Sequence, residues 1–355
     1  MKNILFVAML IIAVNTSISQ ELSVLNKNKW SVEKADNWYA GHKWITGANF
    51  NPSSAINQLE MWQEQTYDPK TIDSELGFAA GIGFNTMRVY LHSLVYKADP
   101  EGFKSRINNY LSISDKHNIK TIFVFFDDVW NPTPKIGMQP NPKPGIHNSG
   151  WVQDPGDPNS KDVENFSELK RYVQDILKTF SNDKRVIMWD LFNEPGNSGK
   201  KETSLPLLKA VFEWAREINP TQPLTVGLWA WDFQELNAFQ ALNSDIITYH
   251  NYDDTERHQM VINLLKSHGR PMICTEYMAR TRNSRFSNIL PLLKRENIGA
   301  INWGLVAGKS NTIYQWDTPI ESGEEPVEWF HDIFRKNGTP YRQDEVNLIK
   351  KLNLK

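Results

Sequence analysis

Eight short apolar segments recur along this chain, and most are followed by a stretch with the apolar spacing of an amphipathic helix. Each segment is rich in Val, Ile, Phe or Thr and is almost continuously apolar, which is typical of a parallel strand buried on both faces. Eight such strands alternating with helices are enough to close a barrel. The sequence therefore predicts an α/β fold, a single-domain (β/α)8 (TIM) barrel. Its predicted strands are 44–48, 86–91, 121–126, 186–191, 224–228, 246–250, 272–277 and 300–305.

The segments between these strands carry apolar residues three and four positions apart, as amphipathic helices do. End signals agree with several of them, because Ser204 precedes one helix and Gly269 and Gly338 follow two others. Between strands five and six the connection is short and holds only 233–242. The predicted helices are 73–81, 103–117, 163–180, 205–218, 256–268, 285–296 and 326–336.

A doubly wound open sheet is the alternative to a barrel. That fold would place a Gly-rich phosphate loop directly after an early strand. The chain has Gly81-Ile82-Gly83, but these residues precede the second strand instead of following a strand. The barrel is therefore the better prediction.

The N-terminus has the pattern of a secretory signal peptide at 1–19. A lysine supplies positive charge, residues 4–14 form an apolar core too short to span a membrane, and Ser17 and Ser19 are small residues where a signal peptidase reads them. The next residue is Gln20, whereas a bacterial lipid anchor needs a cysteine there. We expect a secreted or periplasmic protein, with an N-terminal segment at 20–43 and the barrel at 44–355.

The net charge bears on which partners the chain can bind, and the cysteine content on whether it can form disulfides. The net charge is −2, with 39 basic and 41 acidic residues, so the chain shows no electrostatic footprint for nucleic acid or an anionic membrane. The one cysteine, Cys274, lies in an apolar run and is expected to be buried, which leaves the exported chain without a disulfide. We expect a monomer with no cofactor, no metal, and no nucleic-acid or membrane partner after signal cleavage.

One long segment interrupts the alternation of strands and helices. Residues 127–161 follow the third strand and contain seven prolines together with Trp130, His147 and Trp151. Loops of this length are uncommon without a function, although a plain insertion is the alternative. Because the segment follows the C-terminal end of a strand, we expect it to lie over the barrel mouth.

Two glutamates stand at the ends of predicted strands. The fourth strand runs into Asn193-Glu194-Pro195, and the seventh ends at Glu276. Parallel strands open on one mouth, so the two carboxylates should face each other there. Glycosidic bond cleavage needs such a pair, because one group protonates the leaving oxygen while the other attacks the anomeric carbon or activates water. Desolvation beside aromatic walls would raise the pKa of Glu194, as a general acid requires.

This pairing of Asn-Glu-Pro after strand four with Glu after strand seven resembles clan A of the glycoside hydrolases, the retaining (β/α)8 enzymes. Within the clan the chain most resembles the cellulase- and mannanase-like family 5, over essentially the whole mature chain. The resemblance implies that Glu194 is the acid/base, that Glu276 is the nucleophile, and that Asn193 binds the sugar 2-hydroxyl.

Other residues match the clan pattern at strand ends. Arg88 ends the second strand, where the clan carries an arginine that keeps the nucleophile ionised. His250 and Tyr252 match a His-x-Tyr pattern after the sixth strand, which implies that Tyr252 bonds the nucleophile and His250 contacts the acid/base or the sugar. Trp303 ends the eighth strand, where the clan has the floor of the sugar site on the glycone side of the cleaved bond, the −1 site.

The stretch Asp127-Asp128-Val129-Trp130 at the end of the third strand is predicted to shape the substrate site, with Asp128 and Trp130 as candidate contacts. Tryptophan is also abundant, at 13 residues, and about half of these follow predicted strands. We therefore expect a ring of tryptophans at the barrel mouth, consisting of Trp130, Trp151, Trp229, Trp231, Trp303 and Trp316.

The residues together predict a secreted retaining β-glycosidase that cleaves a gluco- or manno-configured polysaccharide or oligosaccharide by double displacement. One alternative is a non-catalytic sugar-binding barrel, against which the two glutamates argue. Another is a metal-dependent barrel hydrolase, which would need clustered His or Asp residues, whereas His250 stands alone at a strand end. The sugar, its linkage, and internal or terminal cleavage stay open at this point.

Overall fold

Eight parallel strands form one sheet in the order β5-β4-β3-β2-β1-β8-β7-β6. The structure is a computed structural model that describes residues 28–157, 159 and 162–354. A parallel bridge between Leu228 and Tyr249 joins the two edges of the sheet, so the predicted (β/α)8 barrel is confirmed. The strands are β1 Thr46–Asn49, β2 Thr86–Tyr90, β3 Lys120–Asp127, β4 Val186–Asn193, β5 Leu224–Thr225, β6 Ile247–His250, β7 Met272–Glu276 and β8 Gly299–Asn302.

Helices pack around the strands, and six of the seven predicted helices are present with ends no more than four residues from the predicted ones, whereas the helices at 32–40, 58–62, 93–98 and 343–353 were not predicted. The helix predicted at 73–81 begins four residues earlier, at Pro69, because the Asp68 side chain accepts a hydrogen bond from Thr71 N and caps the helix there. The helices are α1 Val32–Ala40, α2 Gln58–Trp62, α3 Pro69–Gly81, α4 Ser93–Ala98, α5 Pro100–Lys116, α6 Phe166–Phe180, α7 Leu205–Ile218, α8 Gln234–Asn243, α9 Thr255–Leu265, α10 Phe286–Arg295 and α11 Gln343–Asn353.

The helix predicted at 326–336 is wrong. This segment is irregular, although apolar residues at helical spacing within it are buried. Phe334 instead bridges to Val306 on one side and to Pro340 on the other. The apolar pattern is therefore satisfied by packing of an extended segment, and the last helix, α11, begins after it.

The predicted helix ends had different outcomes. Gly269 adopts a left-handed conformation, with φ +61°, after the 3₁₀ turn that extends α9, which confirms it as a C-terminal residue. Ser204 precedes α7 but makes no capping bond to it; its hydroxyl donates to Asp128 instead. Gly338, with φ +80°, lies in a turn because the helix that it was predicted to end does not form.

The N-terminal segment closes the bottom of the barrel. Helix α1 starts after Ser31, whose side chain accepts a bond from Lys34 N, and Trp30 and Ala35 are buried beneath the strands. They pack against side chains of the barrel interior, namely Ile45, Ile122, Ile187, Met188, Ile246, Ile273 and Ile301. This packing leaves the opposite mouth, at the C-terminal ends of the strands, for a site.

Within the described part of the chain, no helix combines the length and apolar character needed to cross a bilayer. The predicted signal peptide at 1–19 lies outside the described residues. Cys274 is a free, buried thiol in β7.

Candidate active site

Glu194 follows β4 and Glu276 ends β7, so the two strands deliver both carboxylates to the same mouth. One carboxylate oxygen of each lies within 4.8 Å of the other. Retaining glycosidases separate their carboxyl groups by about 5–5.5 Å, and inverting ones by about 6.5–9.5 Å. The short separation fits direct attack by one carboxylate and is below the spacing with which inverting enzymes accommodate the attacking water.

Glu194 lies in a turn with a left-handed backbone, at φ +44°. This conformation is uncommon for a residue with a side chain and marks local strain, which concentrates at functional sites. Asn197 N donates to Glu194 O at 3.0 Å and closes the turn. The chain thereby leaves the strand abruptly and turns the carboxylate of Glu194 into the mouth.

Three donors surround the carboxylate of Glu276. Arg88 Nη1 lies 2.9 Å from Oε1, Tyr90 OH donates to the same oxygen at 3.0 Å, and Tyr252 OH donates to Oε2 at 2.6 Å. The guanidinium balances the negative charge, and the two hydroxyls fix the direction of the oxygens. Glu276 is therefore held as an oriented carboxylate, as a nucleophile must be.

Arg88 is fully buried beneath the cleft. Its guanidinium bonds Asp190 Oδ2 at 2.9 Å through Nε, and Asn193 Oδ1 at 2.8 Å through Nη2, as well as Glu276. A buried charge is tolerated only when it is paired and hydrogen-bonded. Arg88, which was predicted to end β2 and lies in the middle of it, thus links β2 to β4 and β7.

Glu194 has a different environment. Its Oε1 lies 2.7 Å from His250 Nδ1, and its Oε2 accepts a bond from Asn197 Nδ2 at 2.5 Å. Burial raises the pKa of Glu194 to about 7, against the opposing effect of the Asn197 bond. Burial also lowers the pKa of His250 to about 4, so the imidazole is neutral near pH 7. Glu194 is therefore poised to give and take a proton near neutrality.

Asp127, the last residue of β3 and the first of the four residues predicted to shape the substrate site, orients the floor of the site. Its Oδ1 accepts from Asn193 Nδ2 at 2.9 Å, and its Oδ2 accepts from Trp151 Nε1 at 2.7 Å. Burial raises the pKa of Asp127 to about 8, and these hydrogen bonds oppose the rise. Its register position opposite Asn193 brings the two side chains together.

A cleft of about 570 Å³ opens above the carboxylates. The six tryptophans predicted to ring the mouth all line it, namely Trp130, Trp151, Trp229, Trp231, Trp303 and Trp316. Trp303 packs edge-on against Trp151 with ring centroids 5.7 Å apart, whereas Trp229 Nε1 donates to Pro195 O beside Glu194. Flat aromatic faces of this kind bind the CH faces of sugar rings.

The predicted site residues fall into three groups by position. Arg88 lies below the cleft, and Asp128 does not reach it. Asp128 is fully buried and pairs with Lys200 at 2.8 Å, while Ser204 Oγ donates to its Oδ2 at 2.5 Å. The others line the cleft: Trp130, Asn193, Glu194, His250, Tyr252, Glu276 and Trp303. Tyr90 and Asn197, which contact the two glutamates, were not predicted: the fold brings Tyr90 to Glu276, and the turn after β4 brings Asn197 back to Glu194.

Glu194, His250 and Glu276 together offer three atoms of the kinds that bind metals, all within 4.8 Å of one another. The same atoms are engaged with one another and with Asn197 and Tyr252. The Arg88 guanidinium, 2.9 Å from Glu276, would also repel a second cation. The arrangement therefore fits proton and glycosyl transfer better than metal binding.

The fold and the carboxylate pair are those of a retaining glycoside hydrolase. The family profile described as cellulase (glycosyl hydrolase family 5) matches residues 45–309, which is more than half of the chain. The chain therefore belongs to glycoside hydrolase family 5, as the strand-end motifs predicted. No curated protein matches its sequence.

Solved structures share the fold at low sequence identity. The GH5_18 protein of Streptomyces cattleya, in complex with Manβ1-4GlcNAc, has a TM-score of 0.62 at 10% identity, over 88% of this chain and 80% of its own. An endo-β-1,4-mannanase from Thermotoga petrophila has a TM-score of 0.57 at 15% identity, over 89% and 77%. An exo-β-1,4-mannosidase from Opitutaceae bacterium strain TAV5 has a TM-score of 0.63 at 15% identity, over 93% and 62%.

Proposed function

We propose that this family 5 enzyme is exported and hydrolyses β-linked manno- or gluco-configured oligosaccharides, with β-1,4-mannosides favoured. The observation that carries the proposal is the carboxylate pair, Glu194 and Glu276, at the base of a cleft lined by tryptophans. The preference for mannosides is supported by the similar structures, which include a β-1,4-mannanase, a β-1,4-mannosidase and a complex with Manβ1-4GlcNAc.

The reaction takes two steps. Glu276 attacks the anomeric carbon and the bond to the glycosidic oxygen breaks, while Glu194 gives that oxygen its proton. The leaving sugar departs with a hydroxyl, and the glycone is bound covalently to Glu276. Glu194, now ionised, takes a proton from water as the water oxygen attacks the anomeric carbon, which releases Glu276 and restores the proton on Glu194.

The surrounding residues position the sugar and the nucleophile. Asn193 has its amide oxygen bonded to Arg88 and one amide hydrogen bonded to Asp127. An amide carries two hydrogens, so the second is available to the 2-hydroxyl. Trp303 offers a ring face to the sugar on which the reaction occurs, and Tyr252 keeps Glu276 aligned. Positioning of this kind contributes to catalysis because the reacting atoms no longer need to find each other.

Turnover of 4-nitrophenyl β-mannoside and β-glucoside tests the activity. We expect Glu276→Ala to lower kcat/KM by several orders of magnitude because no nucleophile remains. Glu202→Ala, an exposed glutamate in the loop after β4, is the matched control and should retain wild-type activity. Full activity in Glu276→Ala, or an α-configured first product by NMR, would contradict the proposal.

The two alternative functions give different results in the same assay. A sugar-binding barrel without catalysis would bind mannooligosaccharides and release no nitrophenol in any variant. A metal-dependent hydrolase would lose turnover in a chelator and regain it with a divalent cation, whereas the carboxylate pair predicts unchanged turnover.

Export is supported by the charged, apolar and small-residue pattern of residues 1–19. Expression of the full chain in a bacterial host, followed by N-terminal sequencing of the periplasmic or extracellular protein, should give Gln20 as the first residue. A chain expressed without residues 1–19 should stay in the cytoplasm. Retention of both forms in the cytoplasm would contradict export.

A further inference from the structure

The barrel mouth is open on one side and filled on the other. The 570 Å³ cleft is lined by residues that end or follow β3 to β8. Among the residues that the structure describes, those that follow β1 and β2 do not line this cleft. Asn49, Asn51 and Tyr90 instead line a separate space of about 20 Å³. One water needs about 10–15 Å³ of such space, so a sugar ring does not fit on this side.

Three side chains, which we call the end wall, separate the two spaces. Asn148, Trp151 and Trp303 line both the cleft and the small space. The Trp151 ring contacts Trp303 edge-on at 5.7 Å and Tyr90 at 5.1 Å between centroids, and Trp151 is only 3% exposed. The end wall is therefore a packed partition across the mouth.

The long segment after β3 supplies two of these residues and is bonded to three parts of the barrel. Toward the segment after β8, Asn148 N donates to Ser310 O at 2.9 Å. Toward the segment after β1, Asn57 Nδ2 donates to Gly150 O at 2.8 Å. Within its own strand end, Asp127 accepts from Trp151 Nε1. Bonds in three directions hold the end wall in place.

Segment contacts farther from the end wall add to this support. His147 Nδ1 lies 2.8 Å from Tyr314 O, and Ile320 N donates to Gly145 O at 3.1 Å. At Gly145 even a Cβ would meet Ile320 O at 1.7 Å, so the two segments approach at backbone distance. The long segment after β3 is therefore packed closely against the segment after β8 at the barrel mouth.

The chemistry decides which end of the substrate faces the end wall. Glu194 protonates the glycosidic oxygen, so the leaving sugars lie beyond Glu194, toward Trp229 and the open part of the cleft. The sugar that becomes bonded to Glu276 lies against Trp303, which is part of the end wall. A further sugar joined to its non-reducing end would extend away from Glu194 toward the end wall, where Trp151 packs against Trp303 and the space behind them is about 20 Å³.

We infer that this enzyme is exo-acting and removes one sugar at a time from the non-reducing end of its substrate. The inference rests on the proposed glycosidase function, and it assigns a role to the segment 127–161, which supplies Asn148 and Trp151 to the end wall. The leaving sugars are accommodated by Trp229 and Trp231, on the opposite side of the cleft.

The test uses β-1,4-mannopentaose labelled at its reducing end with 2-aminobenzamide, and the matched cellopentaose. At low conversion we expect labelled tetraose and an equal amount of free monosaccharide. Labelled di- or trisaccharide at the same stage would show internal cleavage and overturn the inference. If neither pentaose nor the nitrophenyl glycosides are hydrolysed, the proposed function itself fails and the inference with it.

A capped substrate gives an independent readout. The same pentaose with its terminal non-reducing 4- and 6-hydroxyls joined as a benzylidene acetal should be hydrolysed at least tenfold more slowly, because the cap collides with the end wall. Equal rates for capped and uncapped pentaose would show that the end wall does not block the non-reducing end, and would overturn the inference.

Two tryptophan variants separate the end wall from the leaving side. Trp151→Ala should raise the share of labelled di- and trisaccharide several-fold, since it joins the small space to the cleft. Trp229→Ala should raise KM for the pentaose and keep tetraose as the first labelled product. The same product pattern in both variants would contradict the assignment of Trp151 to the end wall and of Trp229 to the leaving sugars. Circular dichroism checks that each variant folds. The capped substrate remains decisive if Trp151→Ala does not fold.

Discussion

Glu194 and Glu276 are two identical side chains whose roles differ through their neighbours. A buried guanidinium and two tyrosine hydroxyls surround Glu276. Glu194 contacts a neutral imidazole and an amide, and burial raises its pKa despite the opposing effects of the Asn197 bond and of the Arg88 charge. The side chains that contact each glutamate therefore decide which of the two acts as the acid and which as the nucleophile.

The basic limb of the pH profile should report Glu194. Its carboxyl must be protonated in the first step, and its pKa is raised to about 7, so kcat/KM should fall as the pH rises through about 7. Glu194→Gln should lower kcat/KM on oligosaccharides by about 10²–10⁴-fold and abolish this limb. The measurement is kcat/KM from pH 5 to 9. Persistence of the limb in Glu194→Gln would assign it to another group.

Removal of the Asn197 amide should move that limb. The bond from Asn197 favours the ionised form of Glu194, so Asn197→Ala should raise the pKa of Glu194 and shift the basic limb to higher pH. Thr203→Ala is the matched control, because the Thr203 hydroxyl lies in the same loop and donates to Lys200 O instead of to Glu194 or Asn197. A limb that shifts downward, or that shifts equally in both variants, would contradict this role.

At the scale of elements, the loop between β4 and α7 is held by a buried ion pair. Asp128 accepts from Gly196 N at 2.9 Å and from Ser204 Oγ, and it pairs with Lys200, whose side chain is 5% exposed. Ser204 therefore bonds the end of β3 instead of capping its own helix. The loop that carries Glu194 and Asn197 takes its shape from a neighbouring strand.

Loss of this ion pair should destabilise the protein. Asp128→Ala removes the carboxylate 2.8 Å from the buried Lys200 ammonium, whereas Asp157 lies farther away, at 3.6 Å, and we expect the free energy of unfolding to fall by about 3 kcal/mol. Glu168→Ala, which breaks the exposed pair with Lys97, should change it little. Urea denaturation measures both. Equal, small effects would show that the buried pair contributes no more than the exposed one.

At the scale of the whole molecule, the largest apolar cluster holds Cys274, and it is separate from the smaller cluster that α1 forms with the bottom of the barrel. Cys274 lies in the middle of β7, fully buried, and burial raises the pKa of its thiol. Its neighbours along the strand include the catalytic Glu276. Exposure of this thiol therefore requires the barrel itself to open.

Cys274 should accordingly report global unfolding. We expect a thiol reagent to leave the native protein unlabelled and to label it along the same urea transition as tryptophan fluorescence, with one midpoint for both. The variant Cys274→Ala should show the fluorescence transition without labelling. Labelling at urea concentrations well below the fluorescence transition would mean that β7 opens separately from the rest of the barrel.

The sequence by itself determined the barrel and the chemical centre. Apolar periodicity is a local property, so strands and helices could be identified one at a time, and Asn193-Glu194-Pro195 is continuous in the chain. The same reasoning failed at 326–336, because an extended segment packed against Val306 can bury apolar residues at helical spacing.

Only the tertiary structure decided what surrounds that centre. Tyr90 and Glu276 are separated by 186 positions, yet they share a hydrogen bond. Asp128 had the sequence position of a site residue, but its partners turn it away from the cleft. The end wall likewise depends on Trp151 and Trp303 meeting across the mouth. Such contacts join residues distant in the chain, and no local pattern encodes which of them will meet.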